Sequence, residues 1–311
     1  MLEVVFIGTA GAIPSRERSL PATLVRHGSM KFLVDCGDGT VRQLTSRSSI
    51  PGLGKALTEP FMVLITHEHA DHLLGVGTLI YYLDMTTNTK KLKVLAPPTA
   101  ARRVRALLRM MNPQSDLRVS VKSIVPGVVY EDESIRCKAF STRHTPESLG
   151  FVFDQKSSRP FLPQAADKLG VPKPLRKILA SGQPVTLDDS RVVHPDEVMG
   201  SVGEGVRLVI TGDTPFTREL VGACHGANLL VAEAPYLEAD RALAVERGHL
   251  TAAQAGQLAA DAEVHTLCLH HLSERYDEHE VLAEAKMQFE ATYIAADYSY
   301  AKVQEDGTEI I

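Results

Sequence analysis

The chain has 311 residues, 44% of them hydrophobic and 23% charged, with a formal net charge of −5. This composition belongs to a folded globular protein and excludes a disordered chain or a polycation, so a polyanionic ligand has to be met by a local patch. No apolar run approaches the roughly 18 residues of a membrane span, and Cys36, Cys137, Cys224 and Cys268 lie far apart with no C-x-x-C, against both a thiolate zinc site and a disulfide framework.

The chain opens on LEVVFIG, an apolar run of strand type. Met1 to Gly8 has neither a basic leader nor a cleavage site, so it reads as a first strand, and the cytoplasm is the expected compartment. A loop punctuated by Gly8, Gly11, Pro14 and Pro21 leads to the strand-like ATLVRH and KFLVDCGDGT, which suggests a sheet that begins antiparallel. Asp35 and Asp38 flank Gly37 at a strand end, and Asp38 is read as a turn or capping carboxylate before a helix that starts at Thr40 to Leu44.

The next stretch, FMVLITHEHADHLLG from Phe61 to Gly75, carries the chemistry. A strand-type run, Phe61 to Ile65, ends at Thr66, and His67, His69, Asp71 and His72 follow at once. In an extended segment residues two apart share a face, so His67 and His69 can offer imidazoles to one ion while the turn carries Asp71 and His72 toward a second. With only 12 histidines in the chain, three of them inside six positions beside an aspartate point to metal binding rather than chance.

Leu73 to Leu83 is apolar enough for a buried helix, LKVLAP is a strand, and Pro98 to Met111 is a helix. Its Val104, Leu107, Leu108 and Met111 recur at helical spacing and leave Arg102, Arg103, Arg105 and Arg109 mostly outward, a face expected to be merely solvated. VSVKSIV and IRCKAFST read as strands and RHTPESLGFVF as a loop. Between Asp154 and Gly200 polar, proline-rich pieces interrupt the alternation and suggest an inserted arm or lobe. From Lys156 to Lys177 it carries Lys156, Arg159, Lys168, Lys173, Arg176 and Lys177 against a lone Asp167, an excess able to meet phosphates. From Gly205 strands (RLVITGDT, NLLVAEAPY, HTLCLHHLS) alternate with helices (TRELVGACH, LTAAQAGQLAADA, HEVLAEAKMQF), and TYIAADYS and AKVQ close the chain as strands.

Four more polar groups stand where a strand has just ended: His144, Asp213, Glu233 and His271. Residues at strand ends line a common rim in sheet proteins flanked by helices, so separate stretches can converge there. His249 precedes the helix that starts near Thr251.

The order T-H-E-H-A-D-H (Thr66 to His72), then His144, then T-G-D-T (Thr211 to Thr214), then a late histidine resembles the metallo-β-lactamase superfamily of dinuclear metallohydrolases, and the resemblance runs from end to end. It implies an α/β fold, a pair of mixed β-sheets sandwiched between helices (αββα) with the site on one edge. The expected organisation is a single domain over 1–311 with an inserted arm at 155–195. Within that superfamily FIGTAGAIPSRERS, LVDCGDGTVRQL and HLSERY are similar to motifs of the short form of ribonuclease Z, which trims tRNA 3′ ends. Leu169 to Val193 looks like the arm with which that family grips the tRNA elbow, and VAEAPY and GHLTAAQAG stand where it carries a paired glutamate and histidine. Departures bear on substrate recognition and leave the metal ligands untouched: Arg16 replaces a usual lysine, Ser19 an asparagine, Lys173-Pro174 a Gly-Pro, AEAP (Ala232 to Pro235) an H-E-A-T, and His249-Leu250-Thr251 an H-S-T.

Position by position, the resemblance implies one zinc held by His67, His69 and His144, a second by Asp71, His72 and His271, and Asp213 bridging the two. The same nitrogen and oxygen donors accept manganese or another divalent ion. His270 should face away from the site. Asp71, His249 and Glu233 are the expected catalytic residues: Asp71 as a ligand, His249 as the acid that protonates a leaving 3′ oxygen, and Glu233 as the group that orients it. Arg16, Arg18, Lys173, Arg176 and Lys177 are the expected substrate contacts, precursor tRNA the substrate, and a homodimer the assembly, with one subunit's arm serving the other's site. Two rival readings keep the scaffold, one as a hydrolase of a small phosphodiester, lactone or thioester and the other as a non-catalytic RNA platform.

Overall fold

A computed structural model of the chain describes residues 1–46, 57–58, 60–86, 89–157, 159, 161–201, 205–305 and 307–310. The chain forms two compact units, Met1–Gln155 with Val206–Ile311, and Lys156–Gly205. In chain order the strands are β1 (Leu2–Gly8), β2 (Ala22–His27), β3 (Met30–Val34), β4 (Phe61–Leu64), β5 (Lys91–Ala96), β6 (Arg118–Ser123), β7 (Gly127–Glu131), β8 (Ile135–Ser141) and β9 (Leu149–Gln155). The short pair β10 (Val185–Thr186) and β11 (Val192–Val193) belongs to the smaller unit. Then come β12 (Val206–Ile210), β13 (Leu229–Glu233), β14 (Leu267–His270), β15 (Thr292–Ile294), β16 (Tyr300–Gln304) and β17 (Gly307–Ile310).

In the larger unit these strands make an eight-stranded sheet, ordered β17-β16-β1-β2-β3-β4-β5-β6, and a seven-stranded one, ordered β15-β14-β13-β12-β9-β8-β7. Both are mixed. The first begins antiparallel through β1, β2 and β3, as expected, and turns parallel from β3 to β6; the second is antiparallel from β7 to β12 and parallel from β12 to β15.

Alternation along the strands builds the layers, because successive side chains point to opposite faces. Val5, Leu24, Leu33, Val63 and Val94 pack with Val76, Leu79, Ile80 and Leu83 of the helix Gly75–Thr86 and with Ala101 and Val104 of the helix Pro98–Met111. Their chain neighbours, Phe6, Val25, Phe32, Leu64 and Leu95, face the second sheet and meet Cys137, Phe151, Phe153, Leu208 and Val231. On the far side of the second sheet Val152, Val209, Leu230 and Leu267 pack under Ala255, Leu258 and Ala259 of the helix Ala252–Asp261 and under Val281 and Ala285 of the helix Glu278–Lys286. Three apolar cores thus stack as helix on sheet, sheet on sheet, and sheet on helix.

Two expectations need correction. RHTPESLGFVF is a loop only as far as Ser148; Leu149–Gln155 is the strand β9, between β8 and β12, and its first five residues are buried with no alternation to announce it. The helix placed over Leu73 to Leu83 is a short one, Ala70–Leu73, followed by Gly75–Thr86. Gly75 is where the chain passes closest to the loop after β3, since a Cβ there would stand 2.0 Å from the Gly37 carbonyl oxygen.

The smaller unit has regular structure of its own. It contains the helices Pro163–Lys168 and Lys173–Ala180, the β10–β11 hairpin, and a core of Ala166, Val171, Leu179, Val185, Leu187, Val193 and Val198. Pro163 and Pro174, read as interruptions, occupy helix first turns, where proline's missing N–H costs nothing. The segment read as an arm, 155–195, falls almost wholly in this unit; its Ser158 and Pro160 lie outside the described residues. No helix among the described residues is long and apolar enough to cross a membrane.

Candidate metal centre

Each candidate ligand stands at or just beyond the end of a strand of the larger unit. The turn after β4 carries His67, His69, Asp71 and His72; His144 follows β8, Asp213 follows β12, and His271 follows β14. The donor atoms of His67, His69 and His144 lie within 4.8 Å of one another, and so do those of Asp71, His72 and His271. Asp213 links the groups. Its Oδ2 lies 3.8 Å from His67 Nε2 and 3.9 Å from His144 Nε2, and 3.4 Å from Nε2 of both His72 and His271.

Hydrogen bonds on the far sides of the rings fix which nitrogen faces the centre. His144 Nδ1 is 3.1 Å from the Gly248 carbonyl oxygen and His72 Nδ1 is 2.8 Å from Asp35 Oδ2; both partners only accept, so both Nδ1 atoms donate. Thr66 gives its hydroxyl hydrogen to Asp35 Oδ2 at 2.8 Å and therefore accepts from His67 Nδ1 at 2.9 Å. In the neutral form of each ring, the form that binds a metal, Nε2 of His67, His72 and His144 then holds a lone pair at the centre. His72 Nε2 lies only 3.2 Å from His271 Nε2, a contact between ring nitrogens that a proton or a cation makes favourable.

His67 Nε2 and Asp213 Oδ1 are buried without any hydrogen-bond partner. Left so, each costs about 1–3 kcal/mol, and a divalent cation would satisfy both. The imidazole and carboxylate donor set fits zinc and admits manganese. Charge follows the same logic. Burial opposes ionisation of Asp213, but His271 and His72 outweigh it and hold the carboxyl well below the usual carboxylate range. Burial likewise opposes a charged His72, and Asp213 and Asp35 outweigh it, raising that imidazole well above its ordinary value. The cage attracts positive charge.

A pair made of the buried Glu233 and the partly buried His249 adjoins it. Glu233 Oε1 accepts from Thr214 N at 2.7 Å and Leu250 N at 3.3 Å, while Oε2 accepts from His249 Nδ1 at 2.6 Å. Burial lowers the His249 pKa, yet Glu233 and then Asp213 outweigh it and push it up to about 9. Glu233 thus favours the imidazolium form of His249. Glu233, His249, Asp213 and His271 form a further group with donor atoms within 4.8 Å, so the pair is continuous with the cage.

Residues 2–161, which include the turn after β4 and His144, match the family model described as Anti-Pycsar protein Apyc1. Over 305 residues the chain is 39% identical to a protein named Ribonuclease Z from Bradyrhizobium sp. (strain ORS 278), an alignment that covers 96% of this chain and 98% of that relative. The chain belongs to the ribonuclease Z family. Among solved structures, the metallo-beta-lactamase fold protein YhfI from Bacillus subtilis is similar with a TM-score of 0.68 at 17% identity, covering 96% of this chain and 98% of that one. The short form of human tRNase Z is similar with a TM-score of 0.67 at 21% identity, covering 97% and 99%. At such identities the likeness establishes the fold, which is the metallo-β-lactamase sandwich the motifs implied.

In this ribonuclease Z family member the candidate ligands are braced by residues to which sequence reading gave no role. Asp35, in the left-handed region with φ of 60°, accepts from Thr66 N at 2.8 Å as well as from the Thr66 hydroxyl and His72 Nδ1. The available signal was a carboxylate at the end of β3, which runs parallel to β4 with Val34 opposite Leu64. Asp38, by contrast, is exposed. Asp35→Asn is expected to weaken zinc binding by about 10–100-fold, as loss of a carboxylate behind a ligating imidazole typically does. Competition with a chromophoric chelator reads this directly, and an unchanged affinity would remove Asp35 from the account.

Asp297 braces the opposite side. Its carboxylate accepts from Thr9 N at 3.0 Å, Thr9 Oγ1 at 2.8 Å, Ser19 N at 2.7 Å and Gln43 Nε2 at 2.9 Å. The loop so fixed clamps Leu272 between Thr9 O, at 3.0 Å, and Gly11 N, at 2.8 Å, next to His271 with its φ of 55°. Residue 11 has to be glycine here, because a Cβ would lie 2.7 Å from the His271 carbonyl oxygen and 2.8 Å from its Nδ1.

The expected substrate residues divide. Arg16 is exposed, but Arg18 donates to Thr9 Oγ1 and to Ala295 O and is ion-paired with Glu278, so it braces the loop. In the smaller unit Lys173 and Lys177 are exposed, whereas Arg176 is taken up by Asp167 and the Val171 carbonyl. His270 is buried, joins no ligand group, and is pushed down to about 3 by burial and His271.

Proposed function

We propose that the protein is a metal-dependent endoribonuclease that removes the 3′ trailer from precursor tRNA and leaves a 3′-hydroxyl. The observation that carries this reading is a seven-donor cage with a histidine–glutamate pair beside it, in a chain of the ribonuclease Z family. Two zinc ions held by His67, His69 and His144 and by Asp71, His72 and His271, with Asp213 between them, would neutralise the phosphate oxygens and activate a water toward phosphorus. His249 gives its Nε2 proton to the departing 3′ oxygen, which would otherwise leave as an alkoxide. Glu233 keeps Nδ1 engaged and the ring oriented, and is itself fixed by Thr214 N and Leu250 N.

The unit Lys156–Gly205 is assigned as the arm that holds tRNA, with Lys173 and Lys177 meeting phosphates and recognition resting on shape. A small phosphodiester, lactone or thioester would not need such a unit, and a non-catalytic RNA platform would not need the cage. Gln155 and Val206 are direct partners in the β9–β12 pairing, so a two-residue Asn-Gly turn can replace the unit without disturbing the sheet. That deletion is expected to leave hydrolysis of bis(p-nitrophenyl) phosphate within about twofold while kcat/KM for precursor tRNA falls tenfold or more, the order set by losing a few phosphate contacts. Equal loss of both activities would make the unit structural.

The reading also includes a homodimer in the cytoplasm. Leu74, Tyr81 and Met85, 48%, 57% and 63% exposed, recur on one face around the helix Gly75–Thr86 and suit a partner subunit; sedimentation gives the assembly. The function is tested by incubating the zinc-loaded protein with a precursor tRNA carrying a 3′ trailer and mapping both new ends. A 3′-hydroxyl on the tRNA and a 5′-phosphate on the trailer are expected, and an intact precursor would overturn the proposal.

A further inference from the structure

The arginine face of the helix Pro98–Met111 was read from sequence as merely solvated, and two observations argue otherwise. Ten arginines elsewhere among the described residues are ion-paired with a carboxylate. None of the four on this helix is, among the described residues. Arg102 donates to Thr99 Oγ1 at 2.8 Å, Arg103 to the Glu68 carbonyl at 2.6 Å and Arg105 to the Val121 carbonyl at 3.0 Å, all neutral acceptors. The helix contains no acidic residue, and the neighbouring Glu147 carboxylate, within electrostatic reach of Arg102 but not ion-paired with it, accepts from Thr99 N at 2.6 Å in the first turn. A guanidinium has five N–H donors, so most remain available for a ligand.

The second observation is position. Glu68 lies between His67 and His69, so the Arg103 contact puts one end of this face directly against the metal loop. Arg102, Arg103 and Arg109 are exposed and Arg105 half-buried. Arg102 and Arg109 are separated by about 10 Å at 1.5 Å per residue, enough to follow a backbone over more than one phosphate.

We propose that Arg102, Arg103 and Arg109 form a phosphate-docking ridge that carries the RNA backbone flanking the cut into the metal centre. This rests on the reading of the protein as a nuclease of precursor tRNA. The ridge would fix register without reading sequence, by bidentate contacts of the planar guanidinium to phosphate oxygens.

The test is a double variant, Arg102→Gln with Arg109→Gln, which leaves Arg103 and its bond to Glu68 in place. Steady-state cleavage of a precursor tRNA is followed over a salt series, with zinc content and melting temperature measured in parallel. The variant is expected to keep its zinc and its melting temperature. Its kcat/KM should fall about tenfold, mostly through KM, and the slope of log kcat/KM against log salt should become shallower by about 1.5, from roughly 0.7–0.9 per lost phosphate contact. The corresponding double lysine variant should retain most of the slope. Wild-type kcat/KM and slope in the glutamine variant would overturn the ridge, as would a fall in kcat/KM with the slope unchanged. Wild-type protein that leaves the precursor uncut would instead overturn the function on which the ridge rests.

Discussion

Asp213→Ala is expected to abolish hydrolysis and to release metal. Asp213 is 2% exposed, and its Oδ2 lies within 4.0 Å of ring nitrogens from His67, His72, His144, His249 and His271, so it reaches both ligand groups. Removing it takes away the most central carboxylate that offsets the cost of burying positive charge, and it leaves His72 Nε2 and His271 Nε2, 3.2 Å apart, with Asp71 Oδ2 at 3.5 and 3.7 Å as their remaining shared carboxylate. The metal centre is asked to supply several kcal/mol of transition-state stabilisation, so its loss corresponds to about 10³-fold or more in rate. Elemental analysis should find less than the wild-type complement of metal, and a fully active, fully loaded variant would refute the assignment.

His249→Ala is expected to behave in the opposite way toward metal. Metal content should stay at the wild-type level while turnover falls by about 10²–10⁴-fold, the range for a lost general acid. Loss of metal in this variant would make His249 a ligand. The pH dependence follows from the pair with Glu233. His249 is pushed up to about 9, so the proton it donates is present at neutral pH and disappears as pH rises through that value; activity should therefore decline on the alkaline side. Glu233→Gln removes the largest influence raising the imidazole pKa, and the alkaline limb should move to lower pH. An alkaline limb that stays put in Glu233→Gln would exclude His249 as its source.

What could be read from the sequence was what periodicity and punctuation encode. Strands bounded by glycine and proline, from LEVVFIG to LCLH, and the helices Pro98–Met111 and Ala252–Asp261 emerge where the residue pattern places them, because each buries one face against a sheet. β9 escaped because both of its faces are covered and it follows a polar loop without a break. The helices of the smaller unit escaped because a proline in a helical first turn looks, in sequence, like a proline that ends one. At the site, ligand types announce themselves by clustering, as His67, His69, Asp71 and His72 do. The residues that brace them do not: Asp35 and Asp297 act through hydrogen bonds to groups 31 to 288 positions away, separations that leave no local pattern. Arg18 and Arg176 show the converse, since a basic residue near a substrate motif can be held against the protein by a carboxylate and a carbonyl.

The account depends most on the cage holding two cations, and this is measured directly by diffraction at the zinc absorption edge from crystals grown in excess zinc, with the metal content of the dissolved crystals as a check. Two anomalous peaks are expected, one among His67, His69 and His144 and one among Asp71, His72 and His271, with Asp213 touching both. A pocket without an anomalous peak, its imidazoles hydrogen-bonded to protein or water, would contradict it.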